Sequence, residues 1–147
     1  MKKILFMLSL MLAVGWTSAF ANNDPKLNPR VEAAFKKEFP AAQHVEWIKG
    51  QENFKAVFVL ADYRVEAWFS ADGELLSTAR DLLYNQLPLA VMKEVENRFP
   101  ASKASEVKEI TDSRGTLYQL LLETEKRNYR ISATPNGEIT VTERIRK

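Results

Sequence analysis

The sequence predicts an α+β fold made of two tandem repeats, each one helix packed on a four-stranded antiparallel meander sheet. Three observations lead there. In Arg64–Ser70, Val65, Ala67 and Phe69 alternate with Arg64, Glu66, Trp68 and Ser70, the period of a half-buried strand, and the run ends in Ala71-Asp72-Gly73-Glu74. Asp-Gly between apolar alternations is a strong hairpin signal, because glycine takes positive φ without steric cost. The device returns in Tyr129, Ile131 and Ala133 running into Pro135-Asn136-Gly137-Glu138. Finally, Val31, Phe35, Phe39, Pro40 and Ala41 recur 60 residues later as Val91, Val95, Phe99, Pro100 and Ala101.

Each element has a local reason. Asn28 followed by Pro29 reads as an N-cap and a first-turn proline. Val31, Ala34, Phe35 and Phe39 share one helix face, and Pro40 ends the helix because the residue before proline is disfavoured in the α region. Strands follow at Val45–Lys49, Phe54–Leu60, Arg64–Ser70 and Leu75–Asp81, separated by Gly50–Asn53, Ala61–Tyr63 and Ala71–Glu74. Leu82–Gln86 links the halves. Pro88 opens a second helix with Val91, Met92, Val95 and Phe99 on one face, closed by Pro100. Strands are then expected at Ser105–Ile110, Leu117–Glu123, Asn128–Thr134 and Glu138–Ile145, with a longer turn over Thr111–Thr116. Strands joined by short turns pair as a meander, and the helix must cover one face of its sheet. The expected boundaries are 22–84 and 85–147.

Residues 1–21 read as a cleaved signal peptide: Lys2 and Lys3, an apolar run from Ile4 to Val14, and Ala19-Phe20-Ala21 as a small-x-small cleavage site. The run is shorter than the roughly 20 residues of a spanning helix, so no stable membrane anchor is expected after cleavage and the product is periplasmic or secreted. The whole chain has 21 basic and 19 acidic side chains. Cleavage removes two lysines, leaving the mature part without net charge, which argues against a nucleic-acid binder. With no cysteine, stability must come from core packing rather than disulfides.

The pattern resembles the PepSY-like, beta-lactamase-inhibitor-protein-like (BLIP-like) family of exported bacterial proteins. The residues that carry the likeness are Phe39-Pro40-Ala41, Val45-Glu46-Trp47 and Phe69-Ser70-Ala71-Asp72-Gly73-Glu74. In the second half they are Leu87-Pro88, Phe99-Pro100-Ala101 and Pro135-Asn136-Gly137-Glu138. The resemblance spans Pro29 to Arg144. It implies two helix-plus-sheet repeats, often forming a saddle with a concave sheet face, and it implies no particular activity. The inhibitor for which the family is named has disulfides, whereas this chain has no cysteine.

Chemistry-bearing patterns are few. His44 is the only histidine, so metal sites with nitrogen or sulfur ligands and Ser-His-Asp catalysis are both disfavoured. Glu94/Glu96 and Glu123/Glu125 are ordinary solvated pairs, although a hydrolase using carboxylates alone can be written from them. Asp72-Gly73 and Asn136-Gly137 lack calcium-loop spacing. No enzyme, cofactor or metal is expected. What remains is the sheet face opposite the helices. Phe54, Ala56, Phe58, Val65, Ala67 and Phe69 are assigned to the helix side. The other side then carries Lys55, Val57, Val59, Arg64, Glu66, Trp68, Leu76, Thr78 and Arg80, with Leu121, Arg130 and Arg144 among its second-half counterparts. Exposed aromatics with arginine are typical of interface hot spots. The expected binding residues are Val57, Val59, Trp68, Arg80, Leu121 and Arg130, and the expected partner is an exported protein such as a hydrolase. The alternative is a carrier of a small apolar ligand held between helix and sheet.

Overall fold

A computed structural model describes residues 27–147; the expected signal peptide lies outside the described residues. The chain runs α1 (Pro29–Glu38), β1 (Gln43–Lys49), β2 (Asn53–Leu60), β3 (Tyr63–Ser70) and β4 (Leu75–Asp81). A short 3-10 turn (Tyr84–Gln86) leads to α2 (Leu89–Arg98), β5 (Lys103–Asp112), β6 (Gly115–Glu123), β7 (Arg127–Ala133) and β8 (Ile139–Arg146). The eight strands form one antiparallel sheet in chain order. The junction is the β4–β5 ladder, in which Ser77–Asp81 pair with Asp112–Lys108.

The Asn28 side chain accepts a hydrogen bond from the Arg30 amide at 3.0 Å and donates one to the Ala71 carbonyl at 2.7 Å, so the N-cap also ties α1 to the β3–β4 turn. Both helices end alike, with the Phe39 and Phe99 amides bonded to the Phe35 and Val95 carbonyls at 2.8 Å, immediately before a proline. Pro88 stands at the N-cap of α2 rather than inside it, and its carbonyl accepts from Val91 and Met92.

The long turn expected over Thr111–Thr116 is a tight one. Strand β5 continues to Asp112 and β6 begins at Gly115, with the Asp112 carboxylate accepting from the Arg114 amide and guanidinium. Local turn composition suggested a loop; the closing hydrogen bonds let the ladder extend further.

Directly paired residues share a sheet face. Val65 pairs with Arg80, Arg80 with Glu109, and Glu109 with Tyr118, so the helix-side residues of both halves lie on one face. Beneath α1, Val31 and Phe35 pack on Phe54, Ala56, Phe58, Val65, Ala67 and Phe69. A second core joins Val91 and Val95 of α2 to Tyr118, Leu120, Leu122, Ile131 and Ala133. Both helices therefore cover the same face, and no helix lies on the opposite face among the described residues.

A β-bulge corrects part of the expected face assignment. Phe69 pairs with Leu75 but Trp68 pairs with Ser77, so Leu76 is an extra residue. A one-residue slip sends every later side chain to the other face. Thr78 and Arg80 consequently stand on the helix side rather than beside Trp68. The bulge between Arg130 and Ile131 does the same to Arg144, which pairs with Tyr129.

Gly73 and Gly137 both adopt φ +89°, and a Cβ on either would lie 2.8 Å from the carbonyl oxygen of Arg30 or Ala90 in the facing helix. Gly73→Ala therefore combines an unfavourable backbone region with a backbone clash. It is expected to lower stability by about 2 kcal/mol, with Gly137→Ala comparable; urea unfolding of each variant beside the wild type measures this.

Candidate functional site

The helix-free face is organised around Glu66. It sits between Val65 and Ala67 in β3 and is 7 % exposed, the one buried charged side chain among the described residues. Three cations converge on its carboxylate: Lys55 Nζ at 2.5 Å, Arg64 Nη1 at 2.5 Å and Lys108 Nζ at 3.0 Å. Lys55 comes from β2 and Arg64 from two residues earlier on β3. Lys108 reaches across β4, where the residue paired with Glu66 is the small, buried Ala79. Asp81 extends the network, 3.2 Å from Lys108 and 3.7 Å from Arg64. Lys55 Nζ also stands 5.2 Å from the centre of the Trp68 ring, close enough for a cation–π contact.

Burial alone would raise the Glu66 carboxyl pKa. Hydrogen bonds from Lys55, Arg64 and Lys108 outweigh it and hold the group at about 2, against an ordinary value of 4.5. A carboxylate so held is an acceptor at neutral pH, not a proton donor or base poised to titrate near pH 7.

Val57 pairs directly with Glu66, Val59 with Arg64, and Lys55 with Trp68, so Val57, Val59 and Trp68 surround this network. Leu121 pairs with Arg130 on β6 and β7, in the other half of the same face. The Arg130 guanidinium bonds Glu106 at 3.0 Å and approaches Glu143 at 3.4 Å. Arg80 does not join them. On the helix side it donates to Glu109 at 2.8 Å and stacks 5.2 Å from the Tyr63 ring, whose hydroxyl accepts from Gln86. It belongs to a polar seam between the two cores.

Sequence reasoning placed Glu66 on this face but did not make it the centre, and it missed Lys108 altogether. A lone acid between Val65 and Ala67 in a central strand was a signal. The role of Lys108 required the β4–β5 register.

Among the described residues no cluster of His, Cys, Asp and Glu is arranged to hold a metal ion. No helix there is long and apolar enough to cross a membrane. His44 occupies the β1 bulge with φ 52° and is exposed.

No family model matches the chain, and no curated protein does. Solved structures do resemble it. A Bacteroides eggerthii protein with a provisional periplasmic assignment is 22 % identical with TM-score 0.71, over 80 % of this chain and 87 % of that one. A DUF2874 family protein from Bacteroides uniformis is 20 % identical with TM-score 0.71, over 80 % of this chain and 88 % of that one. A BLIP-like protein from Bacteroides fragilis is 19 % identical with TM-score 0.71, over 80 % of this chain and 86 % of that one. At these identities the likeness concerns the fold: α+β, with eight antiparallel strands and two helices, as in BLIP-like proteins.

The depressed pKa has a defined consequence. The folded state binds fewer protons than the unfolded state between pH 4.5 and about 2. The stability contributed by Glu66 is therefore complete above that window and is lost as pH falls through it. Glu66→Gln is expected to cost about 3 kcal/mol at pH 7 by leaving three cations around a neutral group. The gap from wild type should close as pH falls from 4.5 towards 2. Urea unfolding of both proteins across that range measures it, and a gap independent of pH would contradict the assigned role of Glu66.

Proposed function

We propose that this chain is a non-enzymatic exported module of the PepSY-like, BLIP-like kind that binds a protein through its helix-free sheet face. The observation that carries the reading is the Glu66 network beside Trp68. A wide sheet face left uncovered by both helices presents an aromatic ring, aliphatic Val57, Val59 and Leu121, and cations already oriented by buried hydrogen bonds. A rigid aromatic flanked by ordered charge suits a desolvated contact, because little side-chain entropy remains to be lost on binding. The expected partner is an exported protein such as a hydrolase.

The non-enzymatic part of the reading is supported by the state of Glu66, held ionised by three cations. Export is supported by the N-terminal Lys2-Lys3, apolar and Ala-Phe-Ala pattern, and by the provisional periplasmic assignment of the Bacteroides eggerthii protein of similar fold. The boundaries 22–84 and 85–147 are read as a tandem duplication. Supporting it are the order of one helix and four strands in each half, and the matching contacts of Gly73 and Gly137 with the two helices.

The test is affinity capture of the tagged protein from its own cell envelope, with variants in parallel. One exported protein should be enriched by the wild type and lost with Trp68→Ala and Lys55→Ala. It should be retained with Arg80→Ala, whose side chain is on the helix side. Equal recovery with all three variants would overturn the assigned face.

A further inference from the structure

The two cores are filled differently. Beneath α1 the Phe35 ring centre lies 5.1 Å from that of Trp47, 5.0 Å from that of Phe58 and 6.1 Å from that of Phe69. At the corresponding places the second half has Val95, Val107, Leu122 and Ala133. Among the described residues Phe99 there has one ring partner, Tyr129, at 5.1 Å. Volume is recovered at the centre, where Leu120 and Ile131 replace Ala56 and Ala67, all four being fully buried. Towards the C-terminal end of α2, Tyr129 stands where the first half has Val65, while Val95 and Val107 are smaller than Phe35 and Trp47.

A cleft of about 550 Å³ opens there between the C-terminal turn of α2, the 3-10 turn and the start of β5. The β4 strand ends at Asp81, opposite Lys108, so the first residues of β5 have no strand on that side, and Tyr84 stands in its place. Tyr84, Val95, Phe99 and Ala104 supply apolar walls, while Glu96 and Lys103 add one negative and one positive charge. Burial, then the nearby Glu96, push the Tyr84 hydroxyl pKa upward, so it stays a neutral group at ordinary pH. The volume falls in the range of small-molecule sites, and the lining follows their pattern of apolar walls with a few polar groups.

We infer that this cleft binds a small, uncharged, mainly apolar organic molecule. The site is on the helix side of the sheet, so it is independent of the protein contact proposed above. One acid and one base give the cleft no net charge to favour an ion, and Val95, where the first half has Phe35, leaves room for a ring or short chain.

The probe is the neutral fluorophore N-phenyl-1-naphthylamine, titrated against the purified protein. Saturable binding of one probe per chain is expected. Val95→Phe, which restores the residue present at Phe35, and Ala104→Leu, which fills the cleft from β5, should each weaken it by about tenfold. Trp68→Ala should leave it unchanged. Circular dichroism melts establish that each variant is folded, and Ala104→Leu decides the matter should Val95→Phe fail to fold. Non-saturating fluorescence would overturn the inference. So would unaltered affinity in the folded filled variants, or loss of binding with Trp68→Ala alone.

Discussion

The β4–β5 ladder is the constraint on which the rest of the molecule depends. Its five pairs, Ser77–Asp81 with Asp112–Lys108, join the strands of both halves into one sheet. Because pairing sets which residues share a face, the same ladder puts both helices on one side and leaves the other side uncovered. It carries Lys108 to within 3.0 Å of Glu66 on one face and Glu109 to within 2.8 Å of Arg80 on the other. Half of the expected mature chain would be about 60 residues, a size that buries only about 60 % of its unfolded surface and is marginal alone. Sharing a sheet removes two edges that would otherwise need protection.

The two polar networks at this junction differ in energetic character. Glu66 is nearly inaccessible, and its three cations outweigh a desolvation cost that by itself raises its pKa. Removing any one partner leaves charge behind, so the network specifies which residues meet on the sheet. Arg80 and Glu109 sit in a wetter seam with side-chain exposures of 42 % and 21 %. Their pairing is screened, and Arg80 gains further from its packing on Tyr63. The first network bears on recognition at the open face; the second fills the gap between two apolar cores.

The cores themselves divide the work unequally. Rings meeting at edge and tilted angles around Phe35, Phe39 and Phe58 fix the α1 half through many specific contacts. The α2 half relies on branched aliphatic residues from the central strands, chiefly Leu120, Leu122 and Ile131. These fill the middle of the sheet well but extend less towards the helix C-terminus than tryptophan or phenylalanine would. A similar backbone thus carries packed rings beneath one helix and mainly aliphatic side chains beneath the other.

Much of the architecture was present in the sequence. Period-2 alternation around Val65, Ala67 and Phe69, prolines at positions 40 and 100, and Asp-Gly and Asn-Gly turns are local signals, each carried by a few residues and their backbone preferences. They determined α+β class, the element order and most of the helix-facing residues. The destination of Arg80 was not legible, because a single extra residue at Leu76 reverses the alternation and nothing in the local composition marks it. Nor was the meeting of Glu66 with Lys108, residues 42 apart, whose contact exists through the β4–β5 register. Local propensity and periodicity decide what each segment becomes; which charges meet, on which face, is decided by bulges and by strand pairing between distant segments, and that information resides in the tertiary structure.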